Sequence, residues 1–170
     1  MKIYLIGLPG SGKSLLGKKL SKSINLPFID LDAALEKQEG LKVSKIFAGK
    51  GQNFFRTIEA EMLRKLSDEK EFVMATGGGT PCFHDNMEFI NQTGTSIFLD
   101  TPTALIASRI NPKEKETRPL LEDVPDDQLD KKLEELLNRR LVYYKQAHFT
   151  IDGGTATAWD VLQLLYTKKP

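Results

Sequence analysis

The chain of 170 residues has a single cysteine, Cys82, only two histidines, and no apolar run approaching the ~20 residues that span a bilayer. One thiol closes no internal disulfide, so a disulfide scaffold is excluded. His84 and His148 lie far apart, and neither has a partner at metal-ligand spacing, which argues against a zinc site. Charge of one sign is missing too: 24 Lys and Arg face 23 Asp and Glu, for a formal net charge of +1. That balance lacks the net positive field that drives sequence-independent nucleic-acid binding. There is no repeat and no low-complexity tract, and the apolar stretch Ile3-Tyr4-Leu5-Ile6 is too short for a secretory signal. The expectation is a soluble, cytoplasmic monomer that forms one domain over residues 1–170 and has neither a membrane nor a nucleic acid as partner.

What is present alternates. Short apolar runs bounded by turn residues recur at 3–6, 28–29, 72–75, 96–99 and 149–151, and they read as five buried strands. Between them apolar residues fall at helical spacing, as in Leu15, Leu16, Leu20 and Ile24, or Ile58, Met62 and Leu66, or Leu133, Leu136, Leu137 and Leu141. Alternating strands and helices predict an α/β fold: a three-layer, parallel five-stranded sheet with helices on both faces. Ligands of such sheets sit beyond the carboxyl ends of the strands, so site residues should follow strands. The periodicity breaks at 111–127, where Asn111, Pro112, Pro119 and Pro125 mark a mobile surface arm, with a lid expected at about 111–125. The end of the chain, 167–170, is expected to fray, and Trp159 to pack one face of the last helix.

Gly7-Leu8-Pro9-Gly10-Ser11-Gly12-Lys13-Ser14 follows the first strand and opens the first helix, the pattern and the context of a phosphate-binding loop. Its glycines let backbone N–H groups converge on a polyphosphate at the helix N-terminus. Candidate ATP contacts are Gly10, Ser11, Gly12, Lys13, Ser14 and Leu15, with Lys13 as the point charge for the β and γ phosphates and the Ser14 hydroxyl as a ligand of Mg²⁺. Such a loop serves either phosphoryl transfer to a small molecule or a hydrolysis-driven switch.

The remaining motifs bear on that choice. Phe28-Ile29-Asp30-Leu31-Asp32 sets two carboxylates at the end of the second strand; one suits the Mg²⁺ shell, the other a substrate hydroxyl. Asp32 could equally cap the helix that starts at Ala33. Arg56 and Glu59 share a helix face, either as an Arg fork steadied for a carboxylate or as an exposed ion pair. Phe54 and Phe55 cannot share a side, so one belongs to the core and the other to the acceptor pocket. Gly77-Gly78-Gly79 follows the third strand and fits either a tight turn or a close approach of ligand to backbone. That strand lacks the Asp that often holds Mg²⁺, which favours Asp30 for the task. Arg118, on the arm, is either placed to neutralise charge on a transferring phosphoryl group or simply solvated, as charges on such arms usually are.

Taken in order, these pieces resemble the shikimate kinase family, small phosphate-loop NTPases of the nucleoside-monophosphate-kinase type with a mobile lid. The likeness rests on the phosphate loop, Asp30-Leu31-Asp32, Phe55-Arg56 with Glu59, Gly77-Gly78-Gly79, Arg118-Pro119-Leu120-Leu121, and Arg139 with Tyr143. It implies transfer of the ATP γ-phosphoryl to the 3-hydroxyl of shikimate in aromatic amino acid biosynthesis. It further implies Ser14 and Asp30 in the Mg²⁺ shell and Lys13, Asp32 and Arg118 in catalysis. The acceptor would be held by Asp32, Arg56, Gly77, Gly78, Gly79 and Arg139, and Arg109 would flank the adenine. Arg139 is preferred to Arg140 for its spacing to Tyr143 and Ala147. Gln52 and Leu141 depart from the family pattern, which has Glu and Pro there.

Overall fold

A computed structural model describes residues 1–111, 115–116 and 118–167 of the chain. Five parallel strands, β1 (Lys2–Ile6), β2 (Phe28–Asp30), β3 (Phe72–Ala75), β4 (Thr95–Asp100) and β5 (Phe149–Asp152), form one sheet in the order β2-β3-β1-β4-β5. Each expected strand is present, extended by up to two residues. Among the described residues the helices of seven residues or more are α1 (Lys13–Ser23), α2 (Leu31–Glu39), α3 (Val43–Leu66), α4 (Asn86–Thr93), α5 (Thr103–Arg109), α6 (Leu129–Tyr144) and α7 (Ala158–Thr167), with 3₁₀ turns at Thr80–Cys82 and Asp126–Gln128.

The central strand explains the layering. Successive side chains of β1 alternate between faces, and because both faces are covered the strand is apolar throughout. Ile3 and Leu5 join Leu16 and Leu20 of α1 and Val161 of α7 on one face. Tyr4 and Ile6 join the opposite, larger layer with Leu35, Ile46, Leu63, Met87, Ile106, Leu133 and Tyr144 from α2 to α6. α3 breaks at Gly51, which leaves helical geometry with φ of 82° and ψ of 168°.

The amino-terminal edge of the sheet is fastened by polar contacts. The terminal ammonium meets Glu71 at 2.9 Å, Lys2 Nζ donates to Ser67 O at 2.7 Å, and Tyr4 Oη bonds Ser67 Oγ at 2.8 Å and Thr93 Oγ1 at 3.0 Å. The carboxyl edge is left to open loops. The chain leaves β1 through α1 toward β2 and returns through β3, so the loops after β1, β2 and β3 converge.

Trp159 does not pack as expected and is 66% exposed, because α7 turns Val161 rather than Trp159 onto the sheet. Of the expected frayed end, Thr167 closes α7, and 168–170 lie outside the described residues, as does Pro112 of the arm.

Candidate active site

The phosphate loop holds its shape through backbone conformations that L side chains rarely adopt, with φ of 82° at Gly10 and 98° at Gly12. Gly12 precedes α1 without any side-chain cap, so the first N–H groups of the helix stay available to an anion. Lys13 is buried and folds back over its own loop, donating to Gly7 O at 3.0 Å, Leu8 O at 2.8 Å and Ser11 Oγ at 3.4 Å. Burial lowers its pKa to about 7, with Arg118 and Arg140 acting in the same direction and Asp32 and Asp30 opposing.

At the end of β2 the two carboxylates divide their work. Asp30, not Asp32, caps α2: its Oδ1 accepts from Ala33 N at 3.2 Å, and its Oδ2 accepts from Ser14 Oγ at 2.7 Å. The helix therefore starts at Leu31, two residues before the expected Ala33, and Asp32 sits in its first turn. Asp32 is raised to about 7 by burial first, then by Glu59 and Asp30, against the pull of Lys13 and Arg56. The Ser14 hydroxyl and the Asp30 carboxylate are paired hard oxygen donors beside the phosphate loop. They fit Mg²⁺, which takes one or two protein oxygens together with phosphates and water.

Arg56 and Glu59 do not form an exposed ion pair. They are 6% and 1% exposed, joined by a bond of 2.6 Å from Arg56 Nη1 to Glu59 Oε2. Glu59 Oε1 accepts from buried Thr80 Oγ1 at 2.7 Å; Asn86 Nδ2 donates to Thr80 O at 2.9 Å, and Arg64 donates to Asn86 Oδ1 at 2.8 Å. This buried polar chain, with the guanidinium 4.5 Å above the Phe83 ring, leaves Arg56 little rotamer freedom. Phe55 is buried and also lines the pocket, whereas Phe54 is exposed against Lys50; the expected split between core and pocket thus falls on one residue.

The triple glycine is demanded by crowding. A Cβ at Gly77 would lie 2.8 Å from both Asp32 Oδ1 and Glu59 Oε1, one at Gly78 would lie 2.5 Å from Pro9 Cδ, and one at Gly79 would overlap the Arg56 guanidinium. Side chains of the site thus come right up to the backbone, and a bare turn would not need three such residues.

On α6 the structure places the two candidate arginines on different faces. The buried face of that helix runs through Leu129, Leu133, Leu136, Arg140 and Tyr144. Arg139 points to the exposed face, and Arg140, 7% exposed, lines the cavity instead. A basic residue on an apolar helical stripe was the sequence signal for it.

These groups surround a cavity of about 350 Å³ bounded by Lys13, Asp32, Phe47, Arg56, Gly79 and Arg140, among others. Arg56 Nε and Arg140 Nη1 are buried without a hydrogen-bond partner among the described residues. Two guanidinium groups lining one small cavity suit an anion with two oxygens. A second cleft of about 580 Å³ shares Gly10, Lys13, Ser14 and Arg118 with the first and extends past Leu15 and Arg109 to Gly153, Gly154 and Thr157. The phosphate loop thus lies where two compartments meet. Cys82 takes no part: burial pushes its thiol up to about 11, so it stays protonated.

Comparison with known proteins agrees with this geometry. A family model described as shikimate kinase matches residues 9–168. The chain is 38% identical over 149 residues to a shikimate kinase of Bacteroides fragilis, covering 88% of this chain and 83% of the relative. A crystal structure of shikimate kinase from Acinetobacter baumannii in complex with shikimate superposes with a TM-score of 0.91 at 34% identity, covering 99% of this chain and 94% of that one. The deoxyadenosine kinase of M. mycoides, at 19% identity and a TM-score of 0.60, shares the fold alone, with 99% of this chain and 98% of that one covered.

Proposed function

The chain belongs to the shikimate kinase family, an ATP-dependent kinase that transfers the γ-phosphoryl to the 3-hydroxyl of shikimate, and from that premise we propose how its residues share the work. The observation that carries the reading is that the buried side chains of Arg56 and Arg140 line one cavity together with Gly10, Lys13 and Ser14 of the phosphate loop.

Arg56 and Arg140 grip the shikimate carboxylate, and the buried Glu59 and Thr80 keep the Arg56 fork in one orientation. The loop Gly77-Gly78-Gly79 lets the ring lie against backbone. Asp32, which lines the same cavity, faces the 3-hydroxyl. Its proximity to neutral pKa suits it to take the proton as the oxygen forms its bond to the γ-phosphorus and the bond to the bridging oxygen of ADP breaks. Lys13 exchanges its loop carbonyls for the β and γ phosphates. Arg118, which borders both compartments, spreads charge from the transferring group, and Leu15 and Arg109 border the base end of the second cleft. Ser14 and Asp30 would hold Mg²⁺, which when bound neutralises phosphate charge. In this reading residues 1–170 act as one cytoplasmic, monomeric kinase unit whose arm at 111–125 closes over the nucleotide and excludes water.

ADP release in purified protein should depend on shikimate and stay at background with gluconate or a nucleoside monophosphate. Equal release without shikimate would overturn the acceptor. Arg56→Ala should cripple shikimate use and leave nucleotide binding nearly intact; parallel loss of both would misplace the acceptor site.

A further inference from the structure

Tyr144 stands behind the cavity wall, touches no part of the cavity, and is wholly buried at the end of α6. Its ring packs on Phe98 at 5.0 Å between centroids. Its hydroxyl, however, faces two parts of the acceptor site. It donates to Gly78 O at 2.5 Å, across 66 residues of chain, and the Arg140 guanidinium lies near enough to act on it electrostatically. One helical turn separates Arg140 from Tyr144, so both lie on the buried stripe and reach the same loop.

We propose that Tyr144 is a positioning residue for the acceptor carboxylate: its hydroxyl ties the Arg140 fork to the glycine loop, so that guanidinium and loop backbone present a single rigid surface. The inference rests on the carboxylate role given above to Arg140. The hydroxyl donates to the carbonyl on one side and stands beside the guanidinium on the other, a relay between the two. Burial holds its proton far above the usual phenol range, so the donor toward Gly78 persists at every working pH.

Two consequences follow from the covalent geometry. With its guanidinium held beside the Tyr144 hydroxyl, Arg140 lines the cavity in a fixed orientation. With the Gly78 carbonyl turned to Tyr144, the N–H of Gly79 lies on the opposite edge of the same trans peptide. Backbone bonds from Thr80 N to Gly77 O at 3.2 Å and from Cys82 N to Gly79 O at 2.9 Å close the turn around that peptide, and the Tyr144 hydroxyl holds its carbonyl edge. Phe98 supplies the packing and the hydroxyl supplies the orientation.

Tyr144→Phe separates the two, because it keeps the ring on Phe98 and deletes only the relay. The expected result is a rise of about tenfold in KM for shikimate, with KM for ATP and the melting temperature close to those of the parent. Arg140→Ala should raise the same KM further, and adding Tyr144→Phe to it should cost little more, since the relay then has nothing to hold. If Tyr144→Phe leaves the shikimate KM unchanged while Arg140→Ala raises it, the positioning role is wrong and the carboxylate role survives. If Arg140→Ala also leaves it unchanged, both fall. If Tyr144→Phe lowers the melting temperature and harms both KM values alike, Tyr144 is merely structural and the inference is overturned.

Discussion

Replacing Asp32 by Asn should change how the ligand-free protein responds to pH, and the structure fixes the sign. Burial, Glu59 and Asp30 raise the Asp32 carboxyl from 3.8 to about 7. The folded protein therefore holds that proton more tightly than the unfolded chain does between about pH 4 and 7. The stability this brings is complete below the unfolded value and is lost as pH rises through the folded one. At 1.36 kcal/mol per tenfold the whole displacement would be worth about 4 kcal/mol in a dry site, and water in the open cavity beside Asp32 reduces that to about 2 kcal/mol. Lys13 runs the other way. Its value is depressed from 10.5 to about 7, so its contribution is complete above the unfolded value and is lost as pH falls through about 7. The two slopes meet near neutrality, where the pair together costs most stability. Denaturant unfolding of wild type and Asp32→Asn from pH 4 to 10 measures this directly. The stability of the variant relative to wild type should grow by about 2 kcal/mol between pH 4 and 7 and change little beyond. Two parallel curves over that interval would refute the argument.

Gly79→Ala should displace the Arg56 guanidinium from its place against Glu59 and raise KM for shikimate by about ten- to a hundredfold, with nucleotide binding by titration calorimetry little altered. Lys13→Ala should lower kcat by about 10³ or more in the coupled ADP assay, because the phosphates lose their buried point charge, while the melting temperature holds or rises. Thr80→Val keeps shape but strands Glu59 Oε1, so it should destabilise the fold by about 1–3 kcal/mol in chemical unfolding and loosen shikimate binding as Arg56 regains freedom.

The features that could be read in advance are those with a local cause. The phosphate loop announces itself by glycines at fixed offsets between a strand and a helix, and β1, β3 and β4 by short apolar runs buried on both faces. α4 gave no such signal: it has eight residues, no side-chain cap, and starts after two consecutive left-handed residues, His84 and Asp85, whose conformation is held by tertiary contacts such as Arg64 to His84 O. The choice between Arg139 and Arg140 turned on helical phase. Spacing to Tyr143 and Ala147 selects Arg139, which lies on the exposed face, whereas the stripe through Leu133 and Leu136 passes through Arg140 and Tyr144. The exchange of roles between Asp30 and Asp32 has a similar origin, since a helix that starts two residues early moves the cap with it. The network from Arg64 to Arg56 joins residues distant in sequence, and only the folded chain brings them together.

Every group assigned to chemistry comes from one rim of the sheet, while the opposite rim is stapled by the ammonium terminus, Lys2, Tyr4, Ser67 and Thr93. The two rims are therefore separable under selection. Changes among the staples would move the temperature at which the protein survives and leave turnover at moderate temperature alone, so adaptation to heat or cold has a region in which to act without renegotiating catalysis.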